Sequence, residues 1–138
     1  QALEGALVVD YGCGSGILAI AAALKGAALV EAVDNDPQAL EATAVNAARN
    51  GVEQIVIACA PDAFRARNAD TVMANILAGP LIELAPVIAG CARPGADIVL
   101  SGLLEEQVEM VASAYADTCR LKSVETRDGW ARVLLQKS

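Results

Sequence analysis

The stretch VVDYGCGSGILAI, residues 8–20, constrains the fold of this chain more than any other. A short apolar run leads into Gly12, Gly14 and Gly16, and a second apolar run of helix-forming residues follows. Glycine adopts positive φ freely and carries no Cβ, so such a loop can reverse tightly and bring backbone close to a ligand. The pattern predicts a buried strand over 6–11, a tight turn, and a helix from about Gly16 to Lys25, which Gly26 stops.

The alternation of strand and helix continues. LVEAVD, 29–34, reads as a second strand. Asp36 and Pro37 supply an N-cap and a proline at the first helical position, opening a helix that runs to Asn50 and ends at Gly51. A third strand is expected over about 54–59, a loop from Pro61 to Asn68, and a fourth strand, ADTVMANI, over 69–76. Gly79-Pro80 opens a helix lasting to about Ala92, Pro94-Gly95 forms a turn, and DIVLSG is the fifth strand. Glu105 and Glu106 fall in the first turn of the next helix, where the helix dipole favours acids. RLKSVETR and WARVLLQ then form two extended runs around Asp128-Gly129, a hairpin signal. The expected architecture is α/β: a doubly wound, Rossmann-like, seven-stranded and mostly parallel sheet with an antiparallel C-terminal hairpin at one edge. It forms a single domain over 1–138.

Composition narrows the function. Hydrophobic residues make up 55% of the chain, which predicts strands buried on both faces between helices. The longest apolar run, Ile17 to Leu24, is too short to span a bilayer, and no secretion signal is evident, so no membrane partner and a cytoplasmic location are expected. A net charge of -7 with only 3% aromatics argues against direct nucleic-acid binding and suits a basic partner. Cys13, Cys59, Cys91 and Cys119 lie far apart without a CxxC pair, which predicts buried, reduced thiols and no metal site. Histidine is absent, which removes Ser-His and Cys-His triads and histidine-based metal centres.

The glycine loop poses a choice between ligands. A dinucleotide fingerprint needs G-x-G-x-x-G, and the place of its third glycine holds Ile17. A branched residue there argues against a nicotinamide cofactor. Asp34 ends the second strand, eighteen residues beyond Gly16, where a carboxylate can accept hydrogen bonds from both ribose hydroxyls of an adenosine. Asp36 is accounted for by its N-cap role.

The order DYGCGSG, VDND, ANIL, ARPGADIVLSG, closed by a reversed strand, resembles the class I S-adenosylmethionine-dependent methyltransferases. GCGSGILAIAAALKGA, VDNDPQALEATAVNAARNGV, ANILAGPLIELAP and LSGLLEEQ together resemble the bacterial methyltransferase family that modifies large-subunit ribosomal protein L-eleven. That resemblance implies methyl transfer from S-adenosylmethionine to lysine side chains and the N-terminal amine of the ribosomal protein. It implies cofactor contacts at Asp10, Gly12, Gly14 and Asp34, and a catalytic and cofactor-facing Asn75. Asp62, in the loop after the third strand, is the nearest candidate for an adenine contact, though a plain turn residue is the simpler reading. The family carries an N-terminal recognition domain, so residues 1–138 are expected to be the catalytic domain alone. Asn35 stands where an aliphatic residue is common in the family. A methyltransferase for another amine, a nicotinamide oxidoreductase and a non-catalytic nucleoside-binding module are the alternatives.

Overall fold

The computed structural model describes residues 3–64 and 68–138. Seven strands form one sheet in the order β3-β2-β1-β4-β5-β7-β6. These are β1 (Leu7–Tyr11), β2 (Leu29–Val33), β3 (Val56–Cys59), β4 (Ala69–Asn75), β5 (Ala92–Leu104), β6 (Cys119–Arg127) and β7 (Trp130–Lys137). The first five run parallel, and β7 pairs antiparallel with both β5 and β6. The expected α/β class and reversed hairpin are therefore present. The hairpin does not simply append to the edge, however. Its second strand inserts beside β5, and its first becomes the outer edge, because the apolar residues Val133 and Leu135 of β7 need burial more than the polar run of β6.

Helices α1 (Ile17–Leu24) and α2 (Pro37–Arg49) cover one face; α3 (Ala78–Glu83), α4 (Ala85–Gly90) and α5 (Val108–Ala114) cover the other. Successive strand residues point to opposite faces. Val8, Val30 and Ala32 accordingly join α1 and α2 in one core, while Val9, Val33, Val72, Ile98 and Leu100 join the second core under α3, α4 and α5. The expectation of burial on both faces holds for β1 and β2 only. On the α1 side of β4, β5 and β7, residues Thr71, Val99, Ser101 and Leu134 are only half-buried.

Local chemistry sets the boundaries. Asp36 caps α2 by accepting from the Gln38 amide at 2.9 Å, with Pro37 following it. The single helix expected after Gly79-Pro80 is two, broken at Leu84, because Pro86 lacks the N–H that a continuous helix would use. Pro94 and Gly95 lie inside β5, where the register with β4 jumps between Ala69 and Thr71, so the expected turn is a bulge. Glu105 and Glu106 occupy a short 3-10 turn ahead of α5. Asp128 and Gly129, at φ 53 and 83, make the hairpin turn that their identities foretold. Of the loop expected over 61–68, residues 65–67 lie outside the described residues. Three of the four free thiols are buried, and Cys59 is only partly so. Among the described residues no helix is long and apolar enough to cross a membrane.

Tyr115 ties the last helix to α3. Its hydroxyl donates to the Leu81 carbonyl at 2.7 Å, and both residues are buried. Tyr115→Phe leaves that carbonyl with one partner fewer, and we expect it to lower unfolding free energy by about 1–2 kcal/mol. Urea unfolding measures this, and an unchanged midpoint would show the bond to be energetically neutral.

Candidate functional site

The glycine loop is held by bonds to its neighbours. Gly12 and Cys13 both donate their amides to the Val33 carbonyl, at 2.7 and 3.0 Å, so the loop folds over the carboxyl end of β2. Gly14 donates to Asp34 Oδ2 at 3.0 Å, and the Asp36 amide donates to Asp34 Oδ1 at 3.0 Å. Asp34 is thus oriented by backbone on both sides, and each oxygen retains a lone pair for a further donor.

Helix α2 braces the loop from beneath. The Thr43 hydroxyl, fully buried, donates to the Gly14 carbonyl at 3.0 Å and lies 3.4 Å from Cys13 Sγ. Asn46, one turn on, donates to the Ser15 carbonyl at 3.0 Å. A Cβ on Gly16 would lie 2.9 Å from the Thr43 side chain, and Gly16 stands at φ 89. Gly16 therefore does the close-packing job assigned to the third glycine of a dinucleotide fingerprint, one position early. Ile17, at the fingerprint position itself, is 72% exposed. Sequence reading missed Thr43 and Asn46; their i, i+3 spacing, which puts both on one helix face, was the available signal.

Two clefts open at the carboxyl edge of the parallel strands, where α/β sheets bind ligands beside the reversal of strand order between β1 and β4. The first, about 510 Å³, is lined by Gly12, Asp34, Asn35, Pro61, Ile76 and Leu77 among others. The second, about 830 Å³, is lined by Asn75, Ile76, Leu77, Gly102, Trp130 and neighbouring hairpin residues. Ile76 and Leu77 belong to both, so the turn after β4 forms the partition. Of the candidates named from sequence, Gly12 and Asp34 line the first cleft and Asn75, which is exposed, lines the second. Gly14 contributes through its bond to Asp34, and no atom lies within 4 Å of where its Cβ would be. Asp62 is exposed, and its neighbour Pro61 lines the cleft instead. Among the described residues no cluster of side chains is suited to hold a metal ion. The Trp130 contribution was not legible, because it depends on how the hairpin folds back.

Asp10 lies behind the loop, 1% exposed, and its Oδ2 has no hydrogen-bond partner. Burial pushes its carboxyl up from 3.8 to about 7; a bond from the Ala19 backbone opposes this, and the charge of Asp34 adds to it. Burial likewise raises the Cys13 thiol to about 11, so it is no nucleophile at neutral pH.

The Asp10 shift has a sign that can be checked. The folded protein holds this proton more tightly than the unfolded chain, so the contribution to stability is full at acid pH and is lost as pH rises through about 7. Because the chain has no histidine, no side-chain type with an ordinary pKa in that window competes. Unfolding free energy should fall by up to about 1.4 kcal/mol per pH unit between about pH 5 and pH 7 and then level off. In Asp10→Asn the same urea titrations should give a flat profile; a parallel fall in both proteins would assign the dependence elsewhere.

Comparison with known proteins identifies the family and the fold. The model of the family described as "Ribosomal protein L11 methyltransferase (PrmA)" matches residues 1–138. A ribosomal protein L11 methyltransferase of Pseudomonas putida (strain W619) is 52% identical over 134 residues, covering 96% of this chain and 46% of that protein. The chain thus spans about half the length of such curated relatives. Among solved structures, a ribosomal protein L11 methylase from Lactobacillus delbrueckii subsp. bulgaricus superposes with a TM-score of 0.91 at 28% identity, covering 99% of this chain and 72% of that one. An RNA methyltransferase from Salinibacter ruber, in complex with S-adenosyl-L-homocysteine, shares the fold with a TM-score of 0.75 at 19% identity, covering 98% of this chain and 83% of that one. With its family model matched from end to end and its fold that of the solved methylase, this chain belongs to the ribosomal protein L11 methyltransferase family.

Proposed function

We propose that this chain is the catalytic domain of a protein N-methyltransferase that uses S-adenosylmethionine to methylate amino groups, lysine side chains and the N-terminal amine, of a large-subunit ribosomal protein. The observation that carries the proposal is the pair of clefts separated only by Ile76 and Leu77: one carries Gly12 and Asp34, the other Asn75. A methyl donor in one and an amine acceptor in the other would come into direct contact at the edge of the turn that both clefts share. On this reading the protein works in the cytoplasm on a protein substrate, without contacting nucleic acid directly.

The first cleft fits an adenosine. Asp34 presents two backbone-oriented carboxylate oxygens with free lone pairs, and the open space at Gly14 allows backbone to approach a ligand closely. Asp34 would hold the ribose hydroxyls, Gly12 would lie along the amino-acid portion, and Asp10 would support the loop from behind with a carboxyl that keeps its proton up to about pH 7. S-adenosylmethionine, when bound, supplies a methyl group already activated on a sulfonium sulfur.

The protein's task is then alignment. The attacking nitrogen must be neutral, whereas a free lysine ammonium has a pKa of about 10.4. These 138 residues supply no imidazole base, since they contain no histidine. Entry into the second cleft strips water from the ammonium and favours loss of its proton to solvent. The Asn75 side-chain oxygen and the carbonyls of Ile76 or Leu77 accept the remaining N–H bonds and point the lone pair at the methyl carbon. The cofactor would supply the methyl carbon and, as leaving group, a neutral thioether sulfur that takes the electron pair of the broken bond, so the transfer would need no further reactant.

Calorimetric titration with S-adenosylhomocysteine and with NADH tests the class: the former should bind and the latter should not. Hydrogen bonds to a charged acceptor are worth about 1.5–3 kcal/mol, so Asp34→Ala should weaken S-adenosylhomocysteine about 10- to 100-fold. Asn75→Ala should retain cofactor affinity and lose methyl transfer to purified ribosomal protein L11 at saturating cofactor. Preference for NADH would overturn the class, and full transfer by Asn75→Ala would remove that residue from the mechanism.

A further inference from the structure

The turn separating the two clefts is gripped by two glycines far apart in the chain. A Cβ on Gly12, which follows β1, would lie 2.5 Å from Ile76 Cγ2. A Cβ on Gly102, within β5, would lie 2.6 Å from the Ile76 carbonyl oxygen and 2.8 Å from Asn75 Oδ1. Both glycines stand at positive φ, 84 and 87. Gly102 reaches this place because the β5–β7 register shifts between Leu100 and Leu103, which turns the chain toward the end of β4 just after the Asn75–Ser101 pair.

The two contacts differ in kind. Gly12 faces the Cγ2 methyl of Ile76, a contact with a side chain and not with backbone. Gly102 faces the Ile76 backbone carbonyl, which can yield only by moving the turn itself, and the Asn75 amide oxygen, which can yield only by turning the Asn75 side chain away. We propose that Gly102 is a positioning residue for methyl transfer: by lacking a side chain, it lets β5 press against Asn75 and Ile76 and fixes where an acceptor nitrogen is held, with Gly12 bracing Ile76 from the cofactor side. The proposal rests on the methyl-transfer reading of the second cleft. It assigns the glycine of LSGLL a part in turnover, separate from the glycine loop's part in cofactor binding.

The test uses three readouts on the 138-residue chain: calorimetry with S-adenosylhomocysteine, methyl transfer to purified ribosomal protein L11, and amide NMR spectra. A shift of about 1 Å at a reacting group can lower turnover about 100-fold. Gly102→Ala is expected to lose turnover on that scale at saturating cofactor, keep its S-adenosylhomocysteine affinity, and displace the Asn75 side-chain and Ile76 backbone resonances. Gly51→Ala is the control for backbone strain: Gly51 also has positive φ, 72, but nothing lies within 4 Å of its Cβ position. It should leave turnover and the Asn75 resonances unmoved. Equal loss in both variants, normal turnover in Gly102→Ala, or loss of cofactor affinity in step with turnover would overturn the proposal. Should Gly102→Ala not fold, Ile76→Ala opens the grip from the other side. It should shift the Asn75 resonances and slow transfer at saturating cofactor, and full transfer with unmoved resonances would overturn the proposal. If the parent chain transfers no methyl group even with the recognition domain of a relative supplied, the functional reading fails by itself. The grip is then judged on the spectra, and unmoved Asn75 and Ile76 signals in Gly102→Ala would reject it.

Discussion

The carbonyl of Val33 accepting from both Gly12 and Cys13 is the contact on which the rest of the site depends. It bends the chain leaving β1 over the end of β2, and glycine adopts the positive φ this requires at 12, 14 and 16 without steric cost. With the loop bent this way the Gly14 amide reaches Asp34, and α2 closes from below through Thr43 and Asn46. Three elements distant in sequence are thereby joined with few free polar groups, which is what a rigid ligand cradle needs. The unpartnered Asp10 oxygen stands apart from this economy.

The second cleft is built on a different principle. Its walls come from the turn after β4, the shifted part of β5 and the β6–β7 hairpin. These meet because β7 inserts between β5 and β6, bringing Trp130 and Ala131 beside Leu104 and Leu103. The first cleft is a local consequence of a strand and its loop, whereas the second exists only once the sheet is complete. Ile76 belongs to both, so packing errors on either side reach the other.

Much of this was legible in the residues. Gly12, Gly14 and Gly16 announced a tight loop, Asp36-Pro37 a helix start, and Asp128-Gly129 a hairpin, because each depends on backbone preferences of one or two residues. Asp34 was identifiable as the acid ending the second strand. Asn75 stood out through family resemblance, and the structure sets it in the cleft next to the one that holds Gly12 and Asp34. Less visible were the break at Leu84, the bulge at Pro94-Gly95, and the supporting parts of Thr43 and Asn46. The break at Leu84 follows from Pro86, whereas in the others a partner on another element outweighs local preference.

By itself the sequence determined the order of strands and helices, the tight loop, the reversal at the hairpin and the lack of imidazole chemistry. These follow from hydrophobic periodicity, from glycine and proline stereochemistry, and from which side chains are present. Tertiary structure alone decided that β7 lies inside and β6 outside, that the α1 side of β4, β5 and β7 is left half-covered, and that Gly102 meets Asn75. Those outcomes turn on which apolar faces are buried against each other and on close approaches between strands far apart in the chain, and no local pattern encodes a distance between two strands.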